Sequence, residues 1–166
     1  MNRQQTHRSF VSYIDRSREY YAAQGYDRPY AWASHDDCPF TPLTKPLSAC
    51  RIGLVTTAAR ARRTDMIGPP LMHKELYAQP ADPPPERLFT DDLFWDKRAT
   101  HTDDVDSFLP IHRLVEYAAA GRIDSSSPRF YGVPTDYSQG RTRERAHQIL
   151  AWCREDAVDA VLLAGL

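Results

Sequence analysis

The feature that most constrains the fold is a nearly continuous apolar run at positions 157–163, which directly follows a helix pattern. A run this short is typical of a strand buried on both faces rather than of a helix. The helix pattern before it has apolar residues at i, i+3, i+4 and i+7, namely Ala146, Ile149, Leu150 and Cys153. It predicts a helix from about Thr142 to about Glu155. A helix that leads into a buried strand is typical of an α/β sheet.

Two further segments support the α/β prediction. Apolar residues recur at helical spacing at Ile111, Leu114, Val115 and Ala118. Pro110 suits the first turn of that helix, and Gly121 suits the position just after its last turn. Positions 51–57, which read RIGLVTT, predict a buried strand, and a third strand is expected over 129–133. We therefore predict a small, mostly parallel sheet flanked by helices, of Rossmann-like or flavodoxin-like type and incomplete at its C-terminal side.

Composition narrows the class of protein. The 166 residues are 42% hydrophobic and carry a formal net charge of -1, as expected of a soluble domain with a sizeable core. With 21 basic against 22 acidic side chains, a broad face for nucleic-acid phosphates is not expected. No apolar run is long enough to span a bilayer, and the first ten residues lack the apolar core of a signal peptide. We expect a cytoplasmic protein with neither nucleic acid nor membrane as a partner.

The three cysteines are far apart in the sequence and form no CxxC motif. They are Cys38, Cys50 and Cys153. Reduced thiols are therefore expected, rather than a disulfide framework or a zinc site. Cys153 lies on the apolar stripe of its predicted helix and is expected in the core.

Positions 1–38 predict a helical, aromatic-rich extension ahead of an α/β domain at 39–166. Its apolar stripe consists of Phe10, Val11, Ile14 and Tyr21. Gly25 followed by Pro29 would end this helix. We expect the helix to pack on the domain or on a second subunit, because the neutral charge argues against a surface that stacks nucleic-acid bases. Within the domain, crowded prolines predict an irregular excursion at about 66–90.

Basic side chains collect just after the predicted strand at 51–57. They are Arg60, Arg62 and Arg63. Open parallel sheets bind ligands at the carboxyl ends of their strands, and arginine holds carboxylate or phosphate with two hydrogen bonds. These arginines are therefore candidates for an anion-binding site. A solvated basic loop is the alternative, because no glycine-rich phosphate loop accompanies them.

A second candidate set precedes the helix at Ile111 and consists of His101, Asp103 and Asp104. A histidine beside carboxylates can act as a general acid/base pair or as half of a metal site, and His112 follows closely. Loop or capping residues are the alternative.

A third set gathers metal-ligand types in four consecutive positions, at His35, Asp36, Asp37 and Cys38. Their spacing matches no known ligand template. A turn capped by one of the two aspartates is the alternative to a metal site.

Several segments, taken in order, resemble one protein family. They are Lys45-Pro46-Leu47 leading into RIGLVTT, THTDD leading into SFLPIHRLVEYAAAGRI, the SPRFYGVP turn and the DAVLLAGL strand. In this order they are similar to the selenoprotein B subunits of glycine, sarcosine and betaine reductases, to which a D-proline reductase subunit is related. The resemblance covers about 39–166.

The resemblance implies an α/β protein with a parallel sheet that takes part in reductive cleavage of the carbon–nitrogen bond of glycine, sarcosine, betaine or a related amino acid. In the family a selenol or thiol attacks the α-carbon, and in several systems a pyruvoyl group on a partner chain holds the amine. The family nucleophile follows the strand that corresponds to DAVLLAGL, and none of the three cysteines here occupies that motif. The selenocysteine or thiol and the pyruvoyl group are therefore expected from another segment or a partner chain.

Three explanations of the missing nucleophile are open. The codon after Leu166 can be an in-frame UGA read as selenocysteine, the gene can be split so that another chain supplies the second half, or the chain can be a truncated relative without chemistry.

The resemblance also suggests roles for the candidate residues. The substrate carboxylate would bind the arginines Arg60, Arg62 and Arg63, and protons would move through His101, Asp103 and Asp104. Arg129 and Tyr131, flanked by Pro128 and Pro134 on a stiff turn, would either line the same pocket or fix the turn.

Two functions from other classes remain as alternatives. One is a non-catalytic subunit or interaction module that binds a partner chain, in a hetero- or homo-oligomer, through its sheet edge and its aromatic helix. The other is a metal-dependent hydrolase that uses His35, Asp37, His101 and Asp103.

Overall fold

The computed structural model describes residues 12–26, 28, 36–37, 40–60, 75–90, 101–136 and 138–165. The chain divides into two compact units, Met1–Pro39 and Phe40–Leu166. The second unit contains the sheet and the candidate site.

Helix α1 spans Tyr13–Ala23 in the first unit. Its N-terminal cap is Ser12, whose hydroxyl oxygen accepts a 3.3 Å hydrogen bond from a backbone N–H of the first turn. Beyond the helix, Gly25 has a φ of 86°, as predicted for the residue that ends it. Phe10 and Val11 of the predicted apolar stripe lie outside the described residues.

The described part of the second unit contains a five-stranded sheet and two α-helices. The strands are β1 (Arg51–Thr56), β2 (Tyr77–Pro80), β3 (Ser125–Ser126), β4 (Arg129–Gly132) and β5 (Ala160–Ala164). The helices are α2 (Ile111–Ala119) and α3 (Gln139–Glu155). Both helices and three of the strands, β1, β4 and β5, lie where the sequence patterns predict them. The prediction that β5 is buried on both faces is wrong, because its three central residues are exposed in the described structure.

The sheet is mixed and has β1 at its centre. On one side, β5 pairs with β1 in parallel, from Ile52 opposite Ala160 to Thr56 opposite Ala164. On the other side, β3 and β4 both pair with β1 in parallel, and β2 pairs antiparallel with β4. The order across the sheet is therefore β2, then β4 together with β3, then β1 and β5.

A bulge interrupts the strand formed by β3 and β4. On β1, three residues separate Ile52 from Val55. Their partners on the neighbouring strand, Ser126 and Tyr131, are separated by five residues. The two additional residues on this strand lie between β3 and β4 and form the bulge. The N–H of Ser127 within the bulge still donates a 2.8 Å hydrogen bond to the carbonyl of Ile52, so the strand remains attached to β1.

The sequence does not predict β2, which lies in the proline-rich segment expected to be irregular. Its last residue is Pro80, and β4 is its one neighbour within the described chain. An edge strand tolerates proline because its outward side needs no N–H donor. The antiparallel pairing of β2 makes the sheet mixed, whereas the sequence predicts a mostly parallel one.

Side chains alternate across β1, so its two faces pack against different helices. On the first face, Ile111 and Leu114 of α2 pack in one core cluster with Ile52, Leu54 and Phe130. Ile111 and Leu114 of the predicted stripe are thus buried, whereas Val115, which the pattern also placed on it, is 57% exposed.

The second face packs against α3. Val55, Tyr131 and Cys153 form its buried cluster. The ring of Trp152 stacks on the Tyr131 ring, with the centroids 6.2 Å apart and an angle of 14° between the planes. The sheet thus lies between two helices, and the chain crosses β1 as it passes from β4 through α3 to β5.

Candidate functional site

The candidate site lies beyond the ends of β1, β4 and β5. These parallel strands end at one edge of the sheet, because Thr56 lies opposite both Gly132 and Ala164. Open α/β sheets bind ligands beyond this edge. Residues 57–60, directly after β1, therefore lie where such sheets hold a ligand.

Two contacts fix the path of the chain beyond β1. The hydroxyl oxygen of Thr56 accepts a 3.2 Å hydrogen bond from the N–H of Ala58. Ala59 and Phe89 then exchange both of their backbone hydrogen bonds, at 2.9 and 2.7 Å. Because Ala58 and Ala59 are buried, Arg60 leaves the sheet at a fixed point.

Of the predicted site residues that the structure describes, Arg60 is the best placed to bind an anion. Its guanidinium carbon lies 5.4 Å from the centroid of the Tyr77 ring. Among the described residues, its buried Nε has no hydrogen-bond partner, and no carboxylate forms an ion pair with the guanidinium. A buried donor without an acceptor costs about 1–3 kcal/mol of stability. An anion bound at Arg60 would remove this cost.

Tyr77 holds Arg60 in place through the contact with its ring. Tyr77 was not identified as a site residue from the sequence, because a single tyrosine before a proline-rich stretch forms no recognisable pattern. Its hydroxyl donates a 2.6 Å hydrogen bond to the carbonyl of Ala58. The ring lies over Gly132, where a Cβ would overlap it. Burial raises the pKa of Tyr77 far above the ordinary value, and the charge of Arg60 opposes this only in part. The phenol therefore stays protonated and does not neutralise the guanidinium.

The segment that contains His101 is held beside the same edge. The hydroxyl oxygens of Thr90 and Thr102 lie 2.6 Å apart. Thr90 directly follows Phe89, which pairs with the chain just ahead of Arg60. The structure therefore brings His101 and Arg60, which are far apart in the sequence, into neighbouring segments.

The carboxylates next to His101 differ in their roles. Nδ1 of His101 lies 3.5 Å from the carboxylate of Asp103, and the two side chains are 75% and 84% exposed. Asp104 accepts a 2.9 Å hydrogen bond from the N–H of Asp106 and so caps a short 3-10 turn. The side chains of His101 and Asp103 are therefore both accessible to solvent. Asp104 instead makes the capping contact that was expected from the sequence as the alternative to a role in proton transfer.

A less exposed carboxylate, not evident as a site residue from the sequence, lies nearby. The side chain of Asp106 is 13% exposed, and it accepts hydrogen bonds from the backbone N–H of His112 at 3.1 Å and from Nε of Arg113 at 3.3 Å. Nδ1 of His112 also lies 3.1 Å from its Oδ1. Burial raises the pKa of Asp106, but these hydrogen bonds lower it further, so the net shift is downward. The ionised carboxylate therefore holds the His112 ring in place.

The polar ends of Arg129 and Tyr131 lie toward the opposite, amino-terminal end of the strands. Arg129 donates hydrogen bonds of 2.8 and 2.9 Å to the two carboxylate oxygens of Asp156, and Tyr131 donates one of 2.6 Å. Asp156 precedes β5, and its carbonyl accepts a hydrogen bond from Arg51 at the start of β1. The structure therefore separates these two residues from Arg60. The contacts of Arg129 and Tyr131 are those expected if the two residues fix the turn flanked by Pro128 and Pro134, rather than line the substrate pocket.

Most of the remaining predicted site residues lie outside the part of the chain that the structure describes. Arg62, Arg63, His35 and Cys38 lie outside the described residues. Asp36 and Asp37 are both exposed. In the described ranges, no group of three or more His, Cys, Asp or Glu side chains is arranged to hold a metal ion.

The two described cysteines are poorly placed as nucleophiles. Cys50 is fully buried, and its thiol is directed at the carbonyl of Pro46, 3.4 Å away. Cys153 lies in the core, as predicted, and burial raises the pKa of its thiol. A raised pKa lowers the fraction of reactive thiolate. Neither side chain therefore supplies a ready thiolate at the strand ends.

Of the helices that the structure describes, none has both the length and the apolar character needed to cross a membrane.

Comparisons with known proteins found no similar protein. No model of a known protein family matches the chain. Neither the curated proteins nor the solved structures contain a match.

Proposed function

We propose that the carboxyl edge of the parallel strands binds the carboxylate of a small amino-acid-like substrate, with Arg60 as the anion-binding group. The observation that carries this proposal is the buried Nε of Arg60 at that edge, which has no hydrogen-bond partner within the described ranges. A guanidinium and a carboxylate form two parallel, charge-assisted hydrogen bonds. His101 and Asp103, in the neighbouring segment, would exchange protons between the substrate and solvent.

The strand arrangement supports placing the site at this edge. The central parallel strands are, across the sheet, β4, β1 and β5, and a helix packs on each face. If these three strands are numbered along the chain, their order across the sheet is 2-1-3. This is the order at the start of a doubly wound, flavodoxin-like sheet. Such a sheet binds its ligand beyond the carboxyl ends of its strands, and Arg60 follows the end of β1, on the side where Tyr77 of β2 lies.

The reaction we propose is reductive cleavage of the carbon–nitrogen bond of glycine, sarcosine, betaine or a related amino acid. The segments similar to selenoprotein B include RIGLVTT, SPRFYGVP and DAVLLAGL, which contain β1, β4 and β5. In the overall reaction a dithiol becomes a disulfide, a carbon–hydrogen bond replaces the carbon–nitrogen bond, and the amine leaves with a proton. The selenol or thiol nucleophile and the pyruvoyl group would come from a partner chain or another segment, because Cys50 and Cys153 are buried.

Arg60→Gln is expected to weaken the binding of betaine by at least about tenfold, because a charge-assisted pair of hydrogen bonds is lost. Isothermal titration calorimetry measures the affinity. Choline, which has the same trimethylammonium group but no carboxylate, is expected to bind neither protein. Arg122→Gln is the matched control, since Arg122 also lies over a tyrosine ring, at 4.5 Å from Tyr117. Equal affinities of the wild type and Arg60→Gln would contradict the proposal.

The reductase chemistry is tested with the tagged chain isolated together with its partners from its native cell. With dithiothreitol, this complex is expected to release trimethylamine from betaine, methylamine from sarcosine or ammonia from glycine. Arg60→Gln is expected to reduce the rate at least about tenfold, whereas Arg122→Gln leaves it unchanged. A complex that releases no amine from any of the three substrates would overturn the reductase proposal.

A second candidate function, an interaction module without chemistry, rests on the exposure of β5. Val161, Leu162 and Leu163 are 40%, 46% and 74% exposed. The outer edge of β5 has no neighbouring strand within the described residues. A parallel strand is usually covered on both faces, and a free edge can pair with a strand of another protein. The same purification separates the two functions, because an interaction module would bring a partner chain but release no amine.

A further inference from the structure

A cavity of about 780 Å³ lies between α2 and the sheet, away from Arg60. Its walls are mainly apolar and include Leu54, Leu114, Val115, Phe130 and Pro84. None of residues 57–60, 89–90 or 101–104 lines it. It is therefore separate from the site at the carboxyl edge.

One imidazole in the lining has a fixed orientation. His112 lines the cavity, and its Nδ1 lies 3.1 Å from Oδ1 of Asp106. An ionised carboxylate only accepts hydrogen bonds, so in the neutral ring Nδ1 carries the hydrogen and Nε2 is left as an acceptor. No described residue donates a hydrogen bond to Nε2. A ligand in the cavity can therefore donate one.

The charged groups of the lining leave little preference for a charged ligand. Arg51 and Arg129 both donate to Asp156, one to its carbonyl and the other to its carboxylate. Glu116 pairs with Arg113 at 2.7 Å. The remaining charged side chain of the lining, that of Asp82, belongs to an exposed residue.

We propose that this cavity binds a small neutral aromatic molecule that donates an O–H or N–H hydrogen bond to Nε2 of His112. The volume falls in the range of about 300–1,000 Å³ that is typical of small-molecule sites, and such sites combine apolar walls with a few fixed polar groups. The flat ring would pack on Phe130, Leu54 and Leu114, and the donor group would face the imidazole. This site uses none of the residues of the proposed amino-acid site.

The test compares 2-naphthol with 2-methoxynaphthalene, which has nearly the same shape but no donor. At pH 8, 2-naphthol is expected to bind the wild type about fivefold more tightly, which corresponds to one hydrogen bond. His112→Ala is expected to remove this preference and to leave the affinity for 2-methoxynaphthalene within about twofold. Fluorescence titration measures both affinities.

Two tryptophan variants locate the binding. Val115→Trp is expected to weaken both ligands at least about tenfold, because the indole fills part of the cavity. Ala119→Trp, at an exposed position of α2 outside the lining, is expected to bind both ligands like the wild type, as is Arg60→Gln. Each of three results would overturn the proposal: no binding of 2-naphthol, a preference for 2-naphthol that survives His112→Ala, or binding that survives Val115→Trp.

Discussion

Gly132→Ala is expected to lower the free energy of unfolding by about 3 kcal/mol, because a Cβ would overlap the ring of Tyr77. The ring has little room to move. Its hydroxyl donates a 2.6 Å hydrogen bond to the carbonyl of Ala58, and its edge lies against Phe130, with the centroids 6.0 Å apart at 88°. Relief of the overlap therefore breaks a buried hydrogen bond in addition to the local packing.

Urea unfolding followed by circular dichroism measures this effect. Gly140→Ala is the matched control, because a Cβ there has its nearest contact at 3.9 Å and lies on α3. It is expected to keep or slightly raise the stability. In a Tyr77→Ala background, Gly132→Ala is expected to cost less than about 1 kcal/mol, since the overlapping ring is gone. A loss in the wild-type background no larger than that of the control would contradict the packing of Tyr77 over Gly132.

Asp156→Ala is expected to lower the free energy of unfolding by about 3 kcal/mol at neutral pH. The Asp156 side chain is 10% exposed and accepts hydrogen bonds from both Arg129 and Tyr131. Without the carboxylate, the buried hydroxyl of Tyr131 keeps one contact, 3.1 Å from the hydroxyl of Ser127. The turn into β5 also loses its ion pair with β4.

The effect of Asp156→Ala is expected to shrink as the pH falls. Burial raises the pKa of Asp156, but the hydrogen bonds from Arg129 and Tyr131 lower it further, so the net shift is downward. A carboxyl whose pKa is lower in the folded state adds stability above its unfolded pKa of about 3.9, and this stability is lost as the pH falls through the folded pKa.

Denaturant titrations from pH 7 to pH 3 measure this dependence. Glu155→Ala is the control, because Glu155 pairs with the same arginine but is 60% exposed, and its loss is expected to cost at most about 1 kcal/mol. Two results would show that the Asp156 carboxylate does not stabilise the turn into β5. One is an equal loss of unfolding free energy in the two variants, and the other is a loss for Asp156→Ala that stays constant to pH 3.

The predictable parts of the fold depend on local patterns. The helical spacing around Leu114 and Leu150 and the apolar runs of β1 and β5 are set by residues close in sequence, and the structure contains these elements. Gly121, predicted to follow the last turn of α2, has a φ of 66°. Arg60 could be selected as a candidate because it follows a buried strand, which is also a local property.

The parts that could not be predicted depend on pairs far apart in the chain. β2 forms because Tyr77 lies opposite Gly132, and nothing in its own proline-rich sequence indicates a strand. The role of Arg129 depends on Asp156, 27 residues later, and on the bulge that precedes β4. The sequence shows that Arg129 lies next to Pro128, but it does not show that Asp156 is the partner of Arg129.

The most direct test of the proposed function is the NMR signal of the Arg60 Nε–H group in protein labelled with 15N-arginine. This group has no hydrogen-bond partner in the part of the chain that the structure describes. A bound carboxylate is expected to move its proton signal downfield, with saturation, as betaine, sarcosine or glycine is added, whereas choline leaves it unchanged. A signal that stays in place at saturating concentrations of all three amino acids, or that moves equally with choline, would contradict carboxylate binding at Arg60.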